Sequence, residues 1–363
     1  EPGRLLIVVH HLAMDGVSWR ILLEDLQAAY RQAAAGAPIR LPAKTTSFQA
    51  WARRLAVHAR SEAVQAEISH WLEIARRPVE PLPVDFVPPA AAANGDEASE
   101  RSVQVTLTEA ETQALLQGTL PAFRAEINDV LLAGLVHALR NWTGSPQVLV
   151  ELEGHGREEL AADLDISRTI GWFTTIYPVA FDLRGVRQPA DAVRAVKDAL
   201  RRVPNRGIGF GLLRYLADAS DEVALLRAMP QPEVSFNYLG QLDQVLSEGA
   251  AFAPAREDRG PDRSLRGGRA YPLEVNGGIM AGRLQLSLAY SDALHRRETI
   301  EKLGQAYAAA LRAIIAHGQS PDGPDEALLR PEDFPLAKLG QKDLNKVLGK
   351  LGKRLDDKGR NTR

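Results

Sequence analysis

The sequence predicts a layered α/β fold. Apolar runs with strand texture interleave with amphipathic helical stretches along the whole chain. A stretch from Pro78 to Glu100, first Pro-rich and then rich in Ala, Asn, Gly and Asp, reads as a linker between two lobes. At 363 residues the chain is long enough to bury two cores. Apolar content of 45% and charged content of 25% are those of an ordinary soluble globular protein. The net charge of −2 excludes a general attraction to nucleic acid or anionic membrane. No apolar stretch is long enough to span a bilayer and no signal peptide is visible, so a cytoplasmic protein is expected. The absence of Cys removes disulfides, thiolate catalysis and Cys-based metal sites.

The elements follow in order. Leu5 to Val9 is a continuous apolar run, the pattern of a strand buried on both faces, and it ends in His10 and His11. Asp15-Gly16 is a turn signal, and Trp19 to Tyr30 reads as a helix. The loop Leu41 to Ser47 ends in an N-cap, after which Phe48 to Arg76 reads as one long helix. Beyond the linker, Val103 to Leu107 alternates as a strand, and Thr108 with Glu111 forms a capping box for the next helix. Asn128-Asp129 caps a helix from Val130 to Asn141, and the strand Gln147 to Leu152 follows. Strands around Ile176 to Phe181, Glu233 to Tyr238 and Arg283 to Tyr290, with helices Pro189 to Val203 and Glu298 to His317, complete the reading. No internal repeat is present. The expected units are residues 1–90, 91–332 and a basic tail, 333–363. In that tail Leu344, Val347, Leu348, Leu351 and Leu355 fall at helical spacing, as in a linker or docking helix.

Two strand ends carry candidate chemistry. A His where a strand leaves the sheet is a natural general base near neutral pH, and His11 holds that place. Neighbouring strand residues point to opposite faces, so His10 is read as structural. Asp15 could orient an imidazole or hold the loop through an Arg. On the strand that ends at Glu153, Leu149, Glu151 and Glu153 share the face opposite Val148, Val150 and Leu152. An isolated Glu there would be an exposed carboxylate paired with Arg157. His10, His11 and Asp15 lack metal-ligand spacing. Gly207, Gly209 and Gly211 make neither a dinucleotide fingerprint nor a P-loop, and no nucleophile elbow is present.

Taken in order, the motifs resemble a known family. His10-His11-x-x-x-Asp15-Gly16 resembles the signature of the condensation-domain superfamily of nonribosomal peptide synthetases. Glu153 to Glu158 (EGHGRE), Arg168 to Thr174 (RTIGWFT) and Phe236 to Gln241 (FNYLGQ) resemble its epimerization branch. So do Val17 to Arg20, Lys44 to Phe48, Asn128-Asp129 and Pro204 to Gly211. The resemblance covers residues 1 to about 330 and departs from the family at the front, where a substantial part of the first lobe is missing.

The resemblance implies a two-lobed fold similar to chloramphenicol acetyltransferase, with the first lobe incomplete. It implies an isomerase that inverts the α-carbon of an aminoacyl or peptidyl thioester, held on the phosphopantetheine arm of an upstream carrier domain. It assigns catalysis to His11 and Glu153, supported by His10, Asp15, Gly16, Asn237 and Tyr238. A backbone N–H near Gly16 and the side chains of Asn237 or Tyr238 are its candidate enolate donors. No metal or redox cofactor is implied. A downstream condensation domain or the next synthetase would be reached through the tail. The alternatives are a condensation domain using the same His11 for amide formation, and a non-catalytic docking domain. As a fragment, the chain is expected to be inactive or poorly folded.

Overall fold

The computed structural model describes residues 3–87, 94–241, 252, 253, 255 and 257–320. Its centre is one six-stranded sheet in the order β1-β6-β5-β4-β2-β3. The strands are β1 (Glu100–Thr106), β2 (Gln147–Gly154), β3 (Thr175–Asp182), β4 (Val234–Gln241), β5 (Leu273–Met280) and β6 (Arg283–Ser291). The central pairs β2/β4 and β4/β5 are parallel, and the flanking pairs β2/β3, β5/β6 and β1/β6 are antiparallel. A two-residue turn, Ala281-Gly282, joins β5 to β6. Both residues hold positive φ (49° and 69°), as a hairpin turn matching strand twist requires.

The helices are α1 (Gly16–Ala34), α2 (Phe48–His58), α3 (Glu62–Gln65), α4 (Ile68–Ala75), α5 (Glu109–Ala114), α6 (Leu120–Phe123), α7 (Ile127–Thr143), α8 (Pro189–Arg202), α9 (Ile208–Gly211), α10 (Asp221–Ala228) and α11 (Arg297–Gly318). Alternation along the strands sends Val148, Val150, Leu152, Val234, Phe236, Val275, Leu286 and Leu288 to one face. There they pack against α7, α8 and α11 in the larger core. A second core covers the β2–β3 end of the opposite face. It joins Trp51, Trp71 and Leu72 to Ile166, Phe173, Phe210 and Leu213, with Leu149 and Ala180 against it. The helices placed before the linker therefore share a core with residues far beyond it. The division expected at residue 90 does not separate two cores.

Several expectations are met. Thr108 and Glu111 form the capping box of α5, and Ser47 caps α2 by accepting the Ala50 N–H at 3.1 Å. The helices predicted to start near Val130, Pro189 and Glu298 correspond to α7, α8 and α11. Others are corrected. Leu5 to Val9 is not a buried strand. Leu5, Leu6 and Val8 are exposed, and no described strand lies beside them to take their backbone hydrogen bonds. The single helix expected over 48–76 is broken into α2, α3 and α4, because Ser61 caps a new start by accepting the Val64 N–H. Strand β5 is not predicted by the sequence pattern. Its Asn276-Gly277-Gly278 is turn chemistry by composition, yet it pairs through the whole strand. Gly277 packs closely there, where a Cβ would lie 2.4 Å from Leu286 Cδ2 and would push that side chain aside. The tail and its docking reading lie outside the described residues.

At the N-terminus of α7, Asp129 accepts the Glu126 N–H at 2.7 Å. Burial there pushes its pKa up from 3.8 to about 6, against the Glu126 N–H and the Lys197 charge. The folded state thus binds the proton more tightly than the unfolded chain, so stability falls as pH rises from about 4 through 6. Asp129→Asn removes this slope. The variant is expected to be about 1–2 kcal/mol more stable than wild type at pH 7.5 and to converge with it near pH 4 in urea unfolding.

Candidate active site

His11 opens a single 3₁₀ turn, His11–Ala13, which His10 caps by accepting the Leu12 N–H on Nδ1 at 3.1 Å. His10 thus holds the turn by capping it, with no strand alternation involved. His11 Nδ1 lies 3.0 Å from the Met14 carbonyl oxygen. A carbonyl only accepts, which assigns the proton to Nδ1 and leaves the neutral ring's lone pair on Nε2. The imidazole also meets the Trp172 ring, with centroids 5.8 Å apart and planes inclined at 46°.

Asp15 fixes the loop that carries His11. It is buried and caps α1, accepting the Ser18 N–H at 2.8 Å, and it accepts the Phe173 N–H at 3.1 Å. Arg157 lies 3.3 Å from its carboxylate, donates to the carbonyls of Ile166 and Thr169 at 2.9 Å each and to the Ser18 hydroxyl at 3.0 Å, and stacks 4.0 Å over the Phe173 ring. Gly171 is bound from both sides, its carbonyl taking the Asp15 N–H and the Ser18 hydroxyl. Burial works to raise the Asp15 pKa. The Ser18 and Phe173 hydrogen bonds and the Arg157 charge outweigh it and hold the carboxyl below its usual range. Asp15 therefore holds the loop through an Arg, one of the two roles expected of it. Gly156 belongs to the same junction. Its φ is +65°, and a Cβ would fall 1.6 Å from the Phe173 carbonyl oxygen.

Glu153 stands at the end of β2, on the face opposite Leu152. The pairing with Arg157 that an isolated Glu would make is not formed, because Arg157 is taken by Asp15. Glu153 Oε2 instead accepts from Asn237 Nδ2 at 2.8 Å, across the parallel β2/β4 pair whose register sets Leu152 beside Phe236. Although solvent reaches Glu153, surrounding protein desolvates the carboxylate and pushes its pKa up. Glu274 and Glu151 add to that rise, while the charges of His11 and Arg263 oppose it. The charge of His11 thus acts on the Glu153 carboxylate although the two stand on separate elements.

Other expected residues sort differently. Gly16 is the first residue of α1, so its N–H belongs to the unpaired first turn. Tyr238 is corrected as an enolate donor, since it alternates away from Asn237 and packs against the helix-covered core. Asn237 donates one of its amide hydrogens to Glu153. Sequence reasoning missed Trp172 as the neighbour of His11, although an exposed Trp between bound residues of the RTIGWFT segment is a signal that could have found it. It also missed the buried Glu151, which Tyr271 covers with a hydroxyl hydrogen bond. Among the described residues, no group of three or more His, Cys, Asp or Glu is placed to hold a metal ion.

The condensation domain family model matches residues 2–332. The chain belongs to the condensation-domain family. Among its relatives, a linear gramicidin synthase from Brevibacillus parabrevis is 47% identical over 351 residues, 96% of this chain and 4% of that protein. Surfactin synthase subunit 1 of Bacillus subtilis is 38% identical over 353 residues, 96% of this chain and 10% of that protein. The chain thus spans a small part of these relatives. The crystal structure of the epimerization domain from the third module of tyrocidine synthetase B matches with a TM-score of 0.77 at 36% identity, covering 85% of this chain and 68% of that one. The X-domain from teicoplanin biosynthesis, at 18% identity and a TM-score of 0.61 over 86% of this chain and 68% of that one, shares the fold. The mixed α/β architecture with its six-stranded sheet is that of condensation-domain structures, the chloramphenicol acetyltransferase-like fold.

Removing one partner of the buried Asp15–Arg157 pair strands the other. Asp15→Ala is expected to cost about 3–5 kcal/mol in chemical denaturation, and Asp15→Ala with Arg157→Leu to recover part of that loss. Because the folded Asp15 pKa is depressed, its contribution is complete above the ordinary 3.8 and is lost as pH falls through the folded value. The gap between wild type and Asp15→Ala should therefore narrow in strong acid.

Proposed function

We propose that this chain epimerizes the α-carbon of an aminoacyl or peptidyl thioester presented on the phosphopantetheine arm of a carrier domain, within nonribosomal peptide synthesis. The observation that carries the reading is that an imidazole and a carboxylate from separate elements are each oriented by a neighbour, Met14 for His11 and Asn237 for Glu153, with the His11 charge acting on Glu153. The likeness to the tyrocidine epimerization domain supports it.

The chemistry suits the groups. A thioester acidifies its α-hydrogen because the carbanion delocalises into the carbonyl as an enolate. One group removes the proton from one face, the electron pair moves into the carbonyl, and the other group delivers a proton to the opposite face, so atoms and charge balance with no redox partner. His11 offers a free Nε2 as base. Burial raises the Glu153 pKa above that of an ordinary carboxylate, the direction a general acid requires. The Gly16 N–H, at the positive end of α1, is a candidate donor to the enolate oxygen. Under this reading the partners are the upstream carrier domain and a downstream condensation domain or the next synthetase. No described helix is long and apolar enough to cross a membrane; the cytoplasm is the proposed location.

Glu153→Gln tests the reading with an aminoacyl- or peptidyl-carrier thioester in deuterated buffer. The variant is expected to keep its unfolding midpoint and to lose α-hydrogen exchange at least about 100-fold, as is His11→Ala. Undiminished exchange in Glu153→Gln would overturn the role of Glu153. Amide formation by wild type with no exchange would assign condensation instead.

A further inference from the structure

A row of uncharged polar side chains crosses the sheet from Glu153, one per strand. Asn237 on β4 bonds Glu153 and pairs in register with Asn276 on β5. Asn276 pairs with Ser287 on β6, and Ser287 with Gln104 on β1. Their strand neighbours Phe236, Val275, Leu286 and Val103 belong to the helix-covered core, so the row lies on the same face as Glu153. At about 4.8 Å between strands, it runs roughly 19 Å from Glu153 to Gln104.

A plain solvent-facing sheet does not account for this row. Asn is disfavoured in strands, yet two stand side by side in the central parallel pair, half-buried. The neighbouring row on that face, Glu151, Ser235 and Glu274, is buried and closed by its own partners: Tyr271 covers Glu151, and Arg269 donates to Glu274 at 3.1 Å. Gln104 donates to Ser287 at 2.9 Å. Asn276 has no side-chain hydrogen-bond partner among the described residues. A half-buried amide with a donor and an acceptor both unspent complements a peptide unit, which offers one of each.

We propose that Asn276 binds the main chain of a peptidyl thioester, and that peptidyl rather than aminoacyl groups are the substrate class of this site. The inference rests on the epimerization reading. Asn276 stands two strands, about 10 Å, from Glu153, and an extended peptide advances about 3.4 Å per residue. A chain lying across the strands from the reacting α-carbon therefore reaches Asn276 about three residues upstream. A single aminoacyl group ends at its amino nitrogen and does not reach it.

The test compares tetrapeptidyl- and aminoacyl-carrier thioesters with the same terminal residue, measuring α-deuterium exchange by wild type and Asn276→Ala. Loss of one neutral hydrogen bond is expected to lower the peptidyl-over-aminoacyl ratio of kcat/KM about 5- to 10-fold, through KM. Asn276→Gln is expected to restore part of the ratio. An unchanged ratio, or equal loss with both substrates, overturns the proposal. If wild type, assayed within the synthetase proposed to carry it, exchanges neither thioester, the epimerization reading itself fails. The row is then judged by calorimetric titration of the two loaded carriers, where the same 5- to 10-fold change in the ratio of Kd values supports it and its absence refutes it.

Discussion

The structure around the candidate site depends on one buried carboxylate. Asp15 takes hydrogen bonds from the start of α1 and from Phe173, and faces the Arg157 guanidinium, so three distant segments meet on two oxygens. An unpaired charge at that depth would cost several kcal/mol, so the segments are held together or the site is not formed. The spacing of the His-His-x-x-x-Asp-Gly motif then has a physical meaning. One 3₁₀ turn separates His11 from the residue that caps the next helix, which sets how far the imidazole stands from its anchor.

The sheet supplies the other half by dividing its faces. One is sealed by α7, α8 and α11, and the other keeps polar side chains in strand-spaced rows. Because β2 and β4 are parallel neighbours with their C-terminal ends together, Glu153 and Asn237 stand at the same edge of the sheet, where a cleft is built most readily. Acid strength at Glu153 follows from that placement. Protein crowds the carboxylate, and Glu274 and Glu151 lie within electrostatic reach.

Much of this is legible in the sequence. Capping chemistry and amphipathic periods locate α5, α7, α8 and α11, since these signals are local. Strand-end position singles out Glu153, and alternation along β2 gives it its face, whereas the strand read before His11 is not formed. What fails is decided by distant residues. Nothing local says that Gly277 is pressed against Leu286, so Asn276-Gly277-Gly278 conceals a central strand. Arg157 sits four residues from Glu153 and invites pairing, yet the stronger demand of buried Asp15 takes it. Tyr238 and Asn237 adjoin in sequence and face opposite ways, a distinction that depends on strand β4 persisting through both. Apolar Leu5 to Val9 shows the converse, because pattern alone does not supply the backbone partners that make a strand.

The long reach of the Asp15 contacts also bears on how the polypeptide is made. Arg157 lies 142 residues after Asp15, and Asn237 lies 84 after Glu153. At about 5–20 residues per second, a ribosome emits Arg157 roughly 7–30 s after Asp15. For that interval the histidine loop has no cation to close around. Contacts of such sequence separation also form slowly, because loop-closure entropy is spent before they repay it. The segment bearing the imidazole thus reaches its final shape only after a partner made 142 residues later has emerged.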